Sequence, residues 1–317
     1  MSRSRKRPDP AENALHALHA LHPDLDRGVQ GEAIAQALRN PSFRVVAKAA
    51  ALAGERGLPE RIPDLLSAWP RFIEDGAKRD PQCLAKAAIA AALLALEYAG
   101  VDFWLAGIRC VQLEPAWDKA IDTAVDIRCH SALGLVNSRH HRAIVELTSL
   151  LNDPELRARA GAARAIAYGD PQQAEPLLRF KILAGDPEAE VLGECFSALL
   201  AVAPEDSMAL VGSRLADDDE AVRDYAALAL GESRHPQALD ELKAAWEDRR
   251  VSPELRGVLS RAAALHRSEA AFDWLIGIIG NGSAEDAATA ADALSVFERN
   301  TRLMQRVKDA RAAREGA

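Results

Sequence analysis

The sequence predicts an all-α chain, an α-solenoid (superhelix) of about eight stacked helical hairpins, from a repeat period near 32 residues. Three observations support this. A phrase of Arg, small residues and Leu recurs at Arg128–Val136 (RCHSALGLV), Arg159–Ala167 (RAGAARAIA) and Arg223–Gly231 (RDYAALALG). Helix-start chemistry punctuates the chain at Asn40-Pro41, Asp80-Pro81, Asp153-Pro154, Asp170-Pro171, Asp186-Pro187 and Ser252-Pro253, where an oxygen-bearing side chain precedes a proline. Hydrophobic residues make up 49% of the 317 residues and aromatics only 5%, a balance that favours closely packed helices over sheets.

Residues 1–10 read as a disordered basic tail, with Arg3, Arg5, Lys6 and Arg7 ahead of Pro8-Asp9-Pro10. The prolines stand where a signal peptide would need an apolar core. Residues 11–317 read as one solenoid, with no credible strand run. Its repeats are irregular over 56–128 and regular over 120–300.

Taking the first residue of each phrase as an anchor gives Val46, Leu84, Arg128, Arg159, Leu192, Arg223, Arg256 and Ala287. Three, four and six residues beyond the regular anchors stand small residues such as Ala162, Ala163 and Ala165, or Ala226, Ala227 and Ala229. These offsets share one helix face, and small side chains there let a partner helix approach closely. A second amphipathic helix precedes each phrase, as at 174–183, 207–215, 238–246 and 270–279, completing the hairpin.

These phrases resemble the HEAT-repeat family, in particular the short bacterial HEAT-like repeats also seen in phycobilisome-linker lyases. The resemblance covers about residues 28–300 and implies a helical-hairpin stack with no single activity attached. It also implies a ladder in which a helix-capping Asp pairs with a basic residue six positions on. Asp122/Arg128, Asp153/Arg159 and Asp217/Arg223 keep that offset, whereas Asp186 faces Leu192 and interrupts it. Read this way, the arginine row is structural rather than an anion-binding edge.

Charge narrows the partners. Once the four basic residues of the first seven are set aside, residues 8–317 hold 35 basic against 47 acidic groups, a net of −12. Such a body repels a polyphosphate backbone, so nucleic acid is a disfavoured partner. The four cysteines form no CxxC pair and read as buried thiols. The longest apolar run, 87–96, is too short to span a bilayer. A cytoplasmic protein without membrane attachment is expected.

No phosphate loop, nucleophile elbow or zinc-protease motif occurs, so no catalytic residue is assigned and no cofactor is expected. His16, His19 and His22 recur every third residue with no carboxylate among them, so they read as a polar helix face and no metal site is expected. His140-His141 reads as an exposed turn. Some HEAT-like hydroxylases bind iron through His-Glu dipeptides, and the chain has none.

Two groups of residues are candidates for binding. One is the 44-residue interval between Leu84 and Arg128, holding Phe103, Trp104, Arg109, Glu114, Trp117 and Asp122. Insertions in solenoids emerge on one face and build recognition surfaces. The competing reading is a connecting loop whose Trp packs over the hairpin as a lid. The other group is the face of the repeated helix one, two and five residues after each anchor, which gives His130, Arg164, Glu194, Ser197, Tyr225 and Arg261.

A scaffold that holds an extended or helical segment of a partner protein on its concave face is the leading functional expectation, with a basic or helical peptide as the guest. A lyase- or chaperone-like enzyme, implied by the resemblance alone, is the alternative. It needs Trp117, Arg109, Glu114 and Asp122 to converge on a pocket. A HEAT-like DNA glycosylase is a third reading, which the acidic body opposes.

Overall fold

Short polar side chains turn the chain into its repeated helices. In a computed structural model, which describes residues 10–248 and 251–315, the chain forms two units, 10–168 and 169–315. The basic segment predicted as a tail lies outside the described residues except Pro10, which opens the first helix. Ahead of the repeated helices one device recurs. The side-chain oxygen of Asn40, Asp122, Asp153, Asp186 or Asp217 accepts the N–H two residues on, at 2.9 to 3.2 Å. This Asx turn starts the helix without using a helical residue.

The first unit contains α1 (Pro10–His19), α2 (Arg27–Leu38), α3 (Phe43–Glu55), α4 (Ile62–Ala68), α5 (Gly76–Arg79), α6 (Leu84–Ala95), α7 (Val101–Ile108), α8 (Val125–Asn137), α9 (Ala143–Leu150) and α10 (Leu156–Ile166). The helices α3, α6, α8 and α10 carry the repeated phrase and pack side by side in chain order. The anchors Val46, Arg128 and Arg159 each sit at the fourth helical residue. Leu84 is a correction, because it only begins α6 and is exposed. Burial in α6 (Ala85, Lys86, Ile89, Ala90) matches that in α8 (Ile127, Arg128, Ser131, Ala132) when Lys86 is the anchor.

Two strands, β1 (Leu113–Glu114) and β2 (Ile121–Asp122), correct the expectation of a strand-free chain. They pair antiparallel, Leu113 opposite Asp122 and Glu114 opposite Ile121. A two-residue ladder is too short to show alternation in sequence. Trp104 settles one half of the packing question. It is fully buried, donates from Nε1 to the Tyr98 carbonyl at 2.9 Å, and meets Phe103 edge-on at 4.9 Å. Its ring lies against Gly134, where a Cβ would come within 2.3 Å of it. Gly134 is six beyond an anchor, so the small-residue position exists there to admit an indole.

The second unit contains α11 (Pro171–Ala184), α12 (Ala189–Val202), α13 (Pro204–Ser213), α14 (Glu220–Ser233), α15 (Pro236–Glu247), α16 (Pro253–His266), α17 (Glu269–Asn281), α18 (Ala284–Ser295) and α19 (Thr301–Glu315). Here α12, α14, α16 and α18 pack side by side, while α11, α13, α15 and α17 cover their outer side. All four anchors again fall at the fourth helical residue. The seams are alanine. Ala226, Ala227, Ala262, Ala263 and Ala290 are fully buried, so backbones approach closely and dispersion contacts are dense. At the end of the unit, Phe272, Leu275 and Ile279 of α17 form a core with Leu294, Leu303 and Val307.

Candidate functional site

The interval between α6 and α8 is held by a buried polar network. Lys86 and Asp80 are both almost entirely buried, with Nζ 3.8 Å from Oδ2. Asp80 also accepts the N–H groups of Ala85 and Lys86 at 2.8 and 3.0 Å. Burial pushes the Asp80 carboxyl above the usual range despite those donors and the Lys86 charge. The ammonium donates to the Phe72 carbonyl at 2.9 Å and to Gln112 Oε1. The Gln112 amide passes the chain on to the Asp80 carbonyl and to Glu114 Oε1, at 2.9 and 2.7 Å. Asp80 stands six residues before Lys86, the same offset as Asp122 and Arg128, so this pair was present in the sequence and hidden by anchoring the phrase at Leu84.

Glu114 and Asp122 are consumed by this network. Glu114 Oε1 accepts from the Gln82 N–H at 2.6 Å and from Thr123 Oγ1 at 2.9 Å. Burial raises its pKa, but the donors Gln112, Gln82 and Thr123 outweigh that and hold it low. Asp122 behaves alike. Burial raises its pKa, while the N–H groups of Ala124 and Gln112 and the Arg128 guanidinium bring it below the ordinary value. Arg128, 2% exposed, donates to Asp122 Oδ2 at 2.6 Å, to the Cys110 carbonyl at 2.8 Å and to Asp153 Oδ1 at 3.1 Å. Its Nε lies 3.0 Å from Asp153 Oδ2, an ion-pair distance without hydrogen-bond alignment.

The ladder is therefore built differently from its expected form. Asp122 and Arg128 pair through side chains at the offset of six, as Asp80 and Lys86 do. Arg159 donates to the carbonyls of Asp153 and Pro154, and Arg223 to those of Asp217 and Asp218. The side-chain link runs forward to the next repeat, from Arg128 to Asp153 and from Arg256 to Asp286, the latter bidentate at 3.0 and 2.9 Å. At the interruption, Asp186 takes Lys181 at 2.7 Å.

The candidates of the first unit do not gather. Trp117 sits between the strands and is 104% exposed, so it is no lid. Arg109 closes α7 and pairs with Glu146 of α9 at 2.6 Å, beside a shallow cavity that also meets Asp153. His130 is half-buried on α8. Burial lowers its pKa against the pull of Asp126, and its Nδ1 has no hydrogen-bond partner. Arg164 is exposed on α10. Nor do the thiols offer a nucleophile. Burial lifts Cys83 to about 11 and Cys195 to about 12, far from thiolate at neutral pH. Among the described residues no group of three His, Cys, Asp or Glu side chains is placed to hold a metal ion.

The second unit does present a groove. Each of α12, α14, α16 and α18 leaves one stripe outside the packing. A cavity of about 550 Å³ runs over α14, α16 and α18, lined by Asp224, Pro253, Glu254, Gly257, Val258, Arg261, Ala288, Thr289 and Asp292. Apart from Pro253 and Glu254, these residues stand one, two or five positions after Arg223, Arg256 and Ala287. The offsets chosen from sequence therefore mark the groove, though of the residues singled out only Arg261 lines it. Tyr225 is half-buried with its ring against Gly193 of α12, where a Cβ would lie 2.6 Å from Cδ1. Glu194 and Ser197 are half-buried on the same face of α12. Gly257 and Val258 form the floor, and carboxylates stand around it. Burial, then the charge of Glu220, raises the Asp224 pKa, while Arg261 and Arg223 pull it back.

The profile of the HEAT repeats family matches residues 178–252, which run from α11 to the loop before α16. That stretch is similar to HEAT repeats. No curated protein matches the chain in sequence. Among solved structures, the chain is similar to the complex of CpcE and CpcF of phycocyanin lyase from Nostoc sp. PCC7120, at 15% identity over 100% of this chain and 99% of that one, with a TM-score of 0.37. It is similar to an engineered protein at 18% identity over 95% and 85%, with a TM-score of 0.39. It is also similar to human deoxyhypusine hydroxylase in complex with glycerol, at 15% identity over 92% of each chain, with a TM-score of 0.30. No helix among the described residues is long and apolar enough to cross a membrane.

Proposed function

We propose that the protein is an interaction scaffold that holds an extended or helical segment of a partner protein on the inner face of its repeats. One observation supports this above the others. The uncovered stripes of α14, α16 and α18 lie side by side and form an open, shallow groove, whereas α13, α15 and α17 pack against these helices elsewhere. A row of regularly spaced stripes suits a guest that is itself periodic.

The lyase-like alternative asked for Trp117, Arg109, Glu114 and Asp122 to face one pocket. Instead Glu114 and Asp122 are tied into a buried network, Arg109 is paired to α9, and Trp117 faces solvent. The glycosylase alternative asks for a basic groove, and the groove here is lined by Asp224, Glu254 and Asp292 against one Arg.

The test is affinity purification of the tagged protein from its own cells, with mass spectrometry of what remains bound. A stoichiometric protein partner that is lost when Glu194, Tyr225 and Arg261 are all changed to Ala supports the scaffold. A partner retained by that variant, or a small-molecule adduct in place of any protein, overturns the assignment to this face.

A further inference from the structure

Elsewhere in the second unit, several carboxylates are neutralised where they stand. Glu175 pairs with Arg179 at 2.8 Å, Asp186 with Lys181 at 2.7 Å, Asp217 with Arg214 at 3.2 Å and Asp286 with Arg256 at 2.9 Å. Glu269 and Asp273 share Arg306. The pair Arg256–Asp286 links α16 to α18, and the others sit on α11, α17 and α19 or in the loops between repeats.

The carboxylates of the groove are not among them. No described basic side chain forms an ion pair with Asp224, Glu254 or Asp292, although all three line one cavity. Glu220 stands four residues before Asp224 on the same face of α14, a like-charge spacing that weakens a free helix. Asp224 is half-buried, so part of its hydration is already lost. The floor beneath these groups is Gly257 and Val258, and the missing side chain at Gly257 leaves room between α14 and α18. Arg261 closes one end as the basic member of the lining.

We propose that the occupant of this groove is a cationic segment of another protein, whose arginine or lysine side chains stand at helical spacing and meet Asp224, Glu254 and Asp292. The proposal rests on reading the inner face as a docking surface and adds the chemistry of its guest. A guanidinium at Asp224 forms the ion pair that Arg223 and Arg261 do not make with it, and it offsets the repulsion from Glu220. Carboxylates on three neighbouring helices set the spacing of the cations, so an isolated charge gains less than a series. The guest's arginines and Arg261 repel, which fixes the direction in which the segment lies.

The experiment is fluorescence anisotropy with a labelled alanine-based peptide of about 15 residues, long enough to hold a helix. One version carries arginine at every fourth position and the other glutamine. The arginine peptide is expected to bind, to weaken steeply with added salt, and to bind about tenfold more weakly to the D224N/D292N variant. Arg261→Glu is expected to tighten binding severalfold, a gain that misfolding cannot produce. Arginine-peptide binding that is absent, or unchanged in both variants, overturns the proposal. If the glutamine peptide binds as tightly as the arginine peptide and is lost when Tyr225 and Arg261 are both changed to Ala, docking stands and the cationic guest fails.

Discussion

The two units solve the same packing problem with opposite materials. In the second, alanine seams do most of the work and the ion pair of Arg256 with Asp286 keeps part of its surface in solvent, although Asp186 is buried against Lys181. In the first, Lys86, Asp80, Gln112 and Arg128 lie inside and bond to one another and to backbone carbonyls. The difference follows from the connections. Short loops between regular hairpins need only an Asx turn to redirect the chain. The segments on either side of α6 carry irregular backbone, including Asp75, Gln82 and Cys83 at positive φ just ahead of it. Buried carbonyls and N–H groups in such a segment must find partners, and side chains supply them. Regularity permits an apolar interior, and an insertion requires a polar one.

The largest expected effect tests that contrast directly. Lys86→Met leaves Asp80 buried without its cation and is expected to cost roughly 3–5 kcal/mol in chemical denaturation. Adding Asp80→Asn should recover a large part of the loss, because the double variant no longer buries a charge. Arg256→Ala removes the corresponding link in the second unit, a pair whose guanidinium is 31% exposed, together with its contact over the Trp246 ring. It should cost only about 1 kcal/mol, as partly solvated pairs do. If the two single variants lose equal stability, the division between a polar and an apolar interior has no energetic content.

A smaller effect probes the alanine seams. A Cβ built on Gly231 of α14 would lie 2.2 Å from the Ala262 carbonyl oxygen of α16, a backbone atom that cannot rotate away. Gly231→Ala should therefore lose roughly 1–3 kcal/mol through overpacking. On α17, Gly277 has nothing within 4 Å of the same added atom. There Gly277→Ala should gain roughly 0.5–1 kcal/mol, since glycine is the poorer helix former. Thermal melts of the two variants should move in opposite directions, and shifts of one sign would place the seam elsewhere.

How much of this was visible in the chain depends on the distance over which each signal acts. Helix register is local, so anchors at Arg128, Arg159, Leu192, Arg223, Arg256 and Ala287 all fall at the fourth helical residue. The groove was legible for the same reason, because a fixed offset on a periodic helix marks a fixed face. The interval after α6 was not. Its phrase begins at Lys86 with Asp80 six residues earlier, a match that the apolar run from Leu84 obscured. Glu114 looks like a free acid in sequence because two of its partners, Gln82 and Thr123, come from separate turns of chain, whereas the pairing of Asp122 with Arg128 is legible from its offset of six. The forward links of Arg128 to Asp153 and of Arg256 to Asp286 reach into the next repeat, beyond what a pairing at an offset of six can show.

The smallest expected effect falls on the residue that separates binding from packing in the first unit. Two tryptophans share the irregular interval. Trp104 is sealed against Gly134 and Phe103, whereas Trp117 is held out on a hairpin whose base is fixed by Gln112, Asp122 and Thr123. Exposed Val111, Leu113 and Ile121 accompany it. An indole that touches nothing contributes no packing, so Trp117→Ala should change stability by no more than about 0.5 kcal/mol. Trp104→Ala should lose roughly 3–5 kcal/mol by comparison. A melting point for Trp117→Ala well below that of the wild type would show that the indole folds back on the hairpin, and the lid reading would return for the tip of the insertion as it already holds for Trp104.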